Sequence, residues 1–179
     1  MEDNKEKEFI SSGVLLELAR DEYTKERERA NALDNKASFF ITVIVAVATI
    51  FVPIIPFGKI VPLYKTGSCV QRCFVSVFLV GITAAFVILV LAFRKLYDAY
   101  KLTDYMRPNL DVIDDQQFHI LPTDKVEKGM CDHYKTVVDD NITVNGRKCK
   151  SITSGIKMCG VGFMILIVTT MGLIITIGG

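Results

Sequence analysis

Both histidines and two of the five cysteines fall in one stretch of the chain, at His119, Cys131, His133 and Cys149. These residue types suit zinc. Structural zinc sites are built from close ligand pairs of the C-x2-4-C kind, whereas here eleven, one and fifteen residues intervene. The spacing argues for surface or packing roles, and no metal is expected. Cys131 and His133 also fail as nucleophile and base, because residues two apart on a helix do not face each other. The sequence holds no glycine-rich phosphate loop, no G-x-S-x-G and no HExxH. No catalytic residue and no cofactor is therefore assigned, and an enzyme is not expected. What remains is cationic. Arg147, Lys148 and Lys150 form a short basic run that suits anionic lipid headgroups, a phosphorylated ligand, or plain anchoring beside a membrane.

The elements that must position these residues follow from where charge is missing. The chain has 179 residues and a net charge of +1. That balance gives no case for nucleic acid as a partner. Three windows carry no charged residue: residues 38–57, 73–93 and 158–177. Each is about 20 residues, which as a helix rises roughly 30 Å and matches the hydrocarbon core of a bilayer. The first window alone holds thirteen Phe, Ile or Val residues. At about −0.3 to −0.6 kcal/mol each, they favour insertion by roughly 4–8 kcal/mol. Such windows leave no amphipathic face to meet water. The expected fold is an all-α integral membrane protein with three transmembrane helices, an N-terminal cytoplasmic helix and a small cytoplasmic helical layer. The first window follows 37 highly charged residues, so it reads as a span and not as a signal peptide. No lipidation motif stands at either end.

Orientation follows from Lys and Arg placement. Residues 1–37 carry seven, the turn between the first two windows carries three, and residues 94–157 carry eleven. Placing the N-terminus inside and the C-terminus outside leaves 18 positive residues inside and three outside. The positive-inside rule selects that arrangement. The Asn141-Ile142-Thr143 sequon then faces the cytoplasm and stays unmodified. Cys131 and Cys149 face a reducing compartment, and Cys69 and Cys73 stand one helical turn apart near the outer face, a spacing that argues against their pairing.

Between the spans the reading is helical. Residues 8–37 have helical charge pairing, for example Asp21 with Lys25 and Glu26 with Arg29. Ile10, Val14, Leu15 and Leu18 form a thin apolar stripe, expected to pack on a helix of the long loop or on a neighbouring subunit. Pro53, Pro56 and Pro62 are expected to end or bend the first span. Arg94 to Tyr105 should extend the second span as a helix until Pro108. Residues 109–122 look irregular, and Thr123 is a candidate N-cap for a helix from Asp124. Val126, Met130, Tyr134, Val137 and Val138 give that helix its stripe, and Gly146 is its weak point. The chain thus divides into residues 1–37, a membrane hairpin over 38–93, a cytoplasmic helical region over 94–157 and a third span over 158–179.

The spans hold no Asp, Glu, Lys, Arg or His. Ion pathways and proton relays usually need such groups, which argues against a coupled transporter. Small residues mark helix-contact positions instead, Gly81 with Ala85 and Gly172 with Thr176, while Gly160 and Gly162 thin the start of the third span.

The segment LLELARDEYTKERERANALDNKASFF runs a charged helix into a membrane-entry motif, with Asp34 and Lys36 before Ala37. Asn145-Gly146-Arg147-Lys148 then supplies an N-x-x-K element ahead of the last span. In this order of elements the chain resembles small prokaryotic transmembrane effectors of anti-phage defence, the Pycsar-effector and SLATT-like group. The resemblance covers almost the whole chain in architecture. It implies a membrane-disrupting effector of an abortive-infection system, triggered by a cyclic nucleotide from a partner cyclase and acting by homo-oligomerisation in the lipid bilayer. Under that resemblance Arg94, Arg107, Arg147 and Lys148 are the candidate nucleotide ligands. The 64-residue loop is too small and too helical for the usual β-roll nucleotide module. The alternative reading is a non-catalytic membrane adaptor whose cytoplasmic helices recruit another protein.

Overall fold

The structure is a computed structural model that describes residues 10–101, 105–109 and 120–178. Its elements are four helices in the order α1 (Ser12–Ile54), α2 (Phe57–Thr66), α3 (Cys69–Lys101) and α4 (Thr123–Gly178). No strand occurs among the described residues. Helices α1, α3 and α4 are each long and apolar enough to cross a membrane. The chain is an all-α protein of multi-pass membrane character. It divides into two compact units, one of residues 1–33 and 102–148, the other of residues 34–101 and 149–179.

The helices are longer than the apolar windows. α1 has 43 residues and α4 has 56, so each continues unbroken from a charged stretch into an uncharged one. Hydropathy marks only the part of a helix that suits lipid, while backbone hydrogen bonding carries the helix on through the charged part. α4 passes through Gly146 without a break and starts at Thr123, where the Lys125 and Val126 N–H groups donate to Pro122 O. α3 ends at Lys101 and Tyr105 lies outside any helix, so the second helix does not reach Tyr105. The first residues of the N-terminal helix, residues 102–104 and most of the irregular stretch 109–122 lie outside the described residues.

Burial steps alternately by three and four residues. On α4, buried positions run Val138, Asn141, Asn145 and Lys148 in the first unit, and from Ile152 to Leu166 in the second. On α3 they run Ile82, Ala85, Leu89, Ala92, Leu96 and Ala99. That 3.5-residue period is the seam of knobs-into-holes packing. In the second unit small residues set how closely α3 and α4 approach. A Cβ at Gly155 would lie 2.8 Å from Leu96 Cγ, and one at Gly162 would lie 2.9 Å from Leu89 Cδ2. Overpacking of this kind typically costs about 1–3 kcal/mol. Gly160 has open space around it.

The proline cluster does more than end a helix. α1 stops at Ile54, one residue past Pro53, and the chain forms the ten-residue helix α2 with Pro62 inside it. The expected short loop is thus a helical corner. It is held by several bonds to backbone. Arg72 Nε donates to Gly67 O at 3.0 Å. Ser68 and Gln71 cap the start of α3 reciprocally, the Ser68 N–H donating to Gln71 Oε1 at 3.0 Å and the Gln71 N–H to Ser68 Oγ at 3.2 Å. The Tyr64 and Ser76 hydroxyls hydrogen-bond across α2 and α3. At Gly67 a Cβ would meet Leu63 O at 2.5 Å, so this corner needs glycine.

The apolar stripe expected on α1 is not the face that packs on α4 within the chain. Ser12 and Leu16 are buried with half-buried Ala19 and Tyr23 in the same register, whereas Val14, Leu15 and Leu18 are exposed. Tyr23 and Glu26 determine this rotation, because their partners lie on α4 and on residues 105–109.

Candidate functional site

The polar centre of the first unit is built on α1, α4 and the non-helical residues 105–109. Asn141 is fully buried and grips the main chain of Met106 with both ends of its amide. The Met106 N–H donates to Asn141 Oδ1 at 2.9 Å, and Asn141 Nδ2 donates to Met106 O at 3.0 Å. Two α4 turns earlier, His133 Nε2 accepts the Asn109 N–H at 2.9 Å, which it can do only as an unprotonated nitrogen. One turn after Asn141, Asn145 is also fully buried, and its Nδ2 donates to Glu26 O at 3.0 Å and to Glu26 Oε2 at 2.8 Å. The Glu26 side chain is 14% exposed and also accepts from Arg29 Nη1 at 3.2 Å. At the N-terminal end of α1, Ser12 Oγ donates to Glu127 Oε2 at 2.6 Å.

Three tyrosines close the centre. The Tyr23 ring lies 6.1 Å from Tyr105 and 5.8 Å from Tyr134, the latter edge-on at 75°. Burial pushes the Tyr105 hydroxyl up to about 12, and the nearby Tyr23 and Glu26 add to the shift. Tyr105 Oη and Asn145 Oδ1 are both buried without a hydrogen-bond partner. One is a donor and the other an acceptor, so the centre has unspent polar capacity of both kinds. Its chemistry is that of a clamp. It holds a short non-helical segment and leaves the Arg107 side chain on the surface.

The candidate residues fall in different places. Arg107 and Arg147 are exposed in the first unit, and Arg94 is exposed on α3 in the second. Lys148 is buried at a seam position of α4, so it does not share the surface of its neighbour Arg147. In the entry motif Asp34 is half-buried, Lys36 is exposed and Ala37 is fully buried, with Asp34 the first residue of the second unit. Gly81 lies against Thr169 and Gly172 against Phe78, while Ala85 is fully buried, so these small residues serve α3–α4 packing within one chain. Of the metal-type residues, His119 lies outside the described residues, Cys131 and Cys149 are half-buried thiols, and His133 is spent on Asn109.

Sequence reasoning missed Tyr23, Glu26 and Asn141 as a functional group of residues. A signal was present. Carrying the Tyr134–Val138 stripe on by three and four lands on Asn141, Asn145 and Lys148, but a stripe read from apolar residues stops where the seam turns polar. Comparison with protein-family models, with curated proteins and with solved structures finds no match for the chain.

Proposed function

We propose that the chain is a self-associating membrane effector that breaches the bilayer when a cyclic nucleotide from a partner cyclase triggers its assembly. The first unit is cytoplasmic in this reading and the C-terminus lies outside the inner membrane, with 18 of 21 Lys and Arg residues inside. The observation that supports assembly is an outward stripe at the start of α1, where Val14 is 72%, Leu15 45% and Leu18 55% exposed, with Ile10 just before the helix 86% exposed. In a unit surrounded by water, a contiguous apolar patch of this kind marks a protein interface. Burying it yields roughly 4–8 kcal/mol per copy before the entropy of association is subtracted.

The trigger rests on the resemblance to anti-phage effectors. Exposed Arg107 and Arg147 suit a phosphate. Lys148, inside the seam, meets a ligand only as the seam opens. The test is chemical cross-linking of the full chain in bilayer nanodiscs and in native membranes, with and without cyclic mononucleotides. Nucleotide-dependent oligomers that are lost in the Val14→Glu/Leu18→Glu variant support the reading. A chain that stays monomeric with every nucleotide but retains a cytoplasmic protein through the same stripe is an adaptor.

A further inference from the structure

The ten-residue helix α2 joins the ends of two membrane-crossing helices, so it sits where spans meet headgroups. It is amphipathic. At 100° per residue, Leu63, Ile60, Tyr64, Phe57 and Val61 share one arc, and Lys59 and Lys65 flank that arc on either side. The arc is only partly used. Ile60 is buried and Tyr64 bonds to Ser76 on α3, but Phe57 is 58% and Val61 61% exposed, one turn apart. The Arg72 bond to Gly67 O and the Ser68–Gln71 cap fix α2 on α3, so the exposed edge is presented by a built corner.

The charge balance at this corner is one-sided. Lys59, Lys65 and Arg72 lie within it, and residues 35–97 contain no Asp or Glu. The unit to which α2 belongs has only two acidic side chains, Asp34 and Asp98. Asp34 stands about 30 Å along α1 from that helix's end, and Asp98 about 44 Å along α3 from its start, at 1.5 Å per residue. No carboxylate side chain of the unit reaches Lys59 or Lys65. Within the unit the two lysines thus have no Asp or Glu side chain to offset them.

We propose that α2 is an anionic-lipid docking helix, in which Phe57 and Val61 enter the headgroup–acyl boundary while Lys59 and Lys65 bind lipid phosphates. A short helix with an apolar edge, bordering lysines and a fixed position at the interface has the features of interfacial binding. The proposal rests on the membrane-spanning reading of α1 and α3, and its test separates the two.

The chain contains no Trp, so Phe57→Trp makes a lone fluorescent reporter. The full chain carrying it is reconstituted into phosphatidylcholine vesicles with an equal share of phosphatidylglycerol, one or the other lipid brominated near the headgroup. The expected result is blue-shifted emission, quenched more strongly by the brominated phosphatidylglycerol, with a preference of about 5-fold per lysine. Lys59→Gln/Lys65→Gln should abolish the preference and leave the blue shift. Equal quenching by the two lipids in the lysine-bearing chain, or emission typical of water, overturns the proposal. Val61→Trp repeats the measurement should Phe57→Trp disturb the corner. A third reporter, Val80→Trp in α3, must be quenched by lipids brominated deep in the acyl chain. If it is not, the spanning reading itself fails. If it is quenched while the α2 reporters show no preference, only the docking proposal fails.

Discussion

Replacing Asn145 by Ala tests the polar seam. The wild-type amide donates to a carboxylate oxygen at 2.8 Å and to a main-chain carbonyl at 3.0 Å. A hydrogen bond to a charged group contributes about 1.5–3 kcal/mol and a neutral one about 0.5–1.5 kcal/mol. Against this loss, Asn145 Oδ1 is buried without a partner, and deleting it recovers about 1–3 kcal/mol of desolvation. Glu26 keeps Arg29, so it is not stranded. The balance, with a small cavity added, is a net loss of about 1–3 kcal/mol. Local opening then becomes roughly 5- to 150-fold more frequent. Hydrogen–deuterium exchange of the full chain should report this over residues 20–30 and 138–148, while exchange in the second unit stays as in wild type. Asn145→Asp sets a carboxylate beside Glu26 and should lose more at neutral pH. That excess should fade as acidification protonates the pair. Unchanged exchange in both segments for Asn145→Ala would refute the idea that this amide locks α4 to α1.

Tyr105→Phe should stabilise the first unit by about 1 kcal/mol, because the hydroxyl it removes is buried and unpaired. The folded state holds this proton up to about pH 12 against an ordinary value of 10.0, so wild-type stability should fall as pH rises between those values. Circular dichroism unfolding at alkaline pH should find that part of the fall missing in Tyr105→Phe. Gly162→Val should cost about 1–3 kcal/mol in detergent unfolding titrations, because its side chain meets Leu89, while Gly160→Ala, in open space, should change little. A membrane-impermeant thiol reagent applied to intact cells should label exposed Cys69 and Cys73 and reach Cys131 only after lysis; labelling of Cys131 alone would reverse the orientation.

What the sequence made legible was set by chemistry that repeats. Three uncharged windows are visible because lipid tolerates nothing else over 20 residues. The Ser68–Gln71 cap fits the S-x-x-Q pattern, but only the structure singles it out. The helix α2 was hidden by Pro56 and Pro62, which read as breakers, although the apolar spacing Phe57, Ile60 and Val61 lay between them. The seam of the first unit was hidden because its core positions are Tyr23, Glu26, Asn141 and Asn145, and a hydrophobic pattern does not register amides whose partners are main chain. The same blindness hid which face of α1 packs within the chain. Ile10, Val14, Leu15 and Leu18 look like the face toward the long-loop helix until the contacts of Tyr23 and Glu26 are known. Spacing places Lys148 on the seam and Arg147 off it, but a stripe read from apolar residues alone does not extend to a lysine.

The proposed function is permeabilisation of the membrane on a cyclic-nucleotide signal. Its most direct test is membrane potential in bacteria expressing the full chain, with and without a co-expressed nucleotide cyclase and with Val14→Glu/Leu18→Glu as the comparison. The account predicts depolarisation only when the chain and the cyclase are both present, and a loss of that response in the variant. A correctly inserted chain that leaves the potential unchanged with every cyclic nucleotide would contradict it.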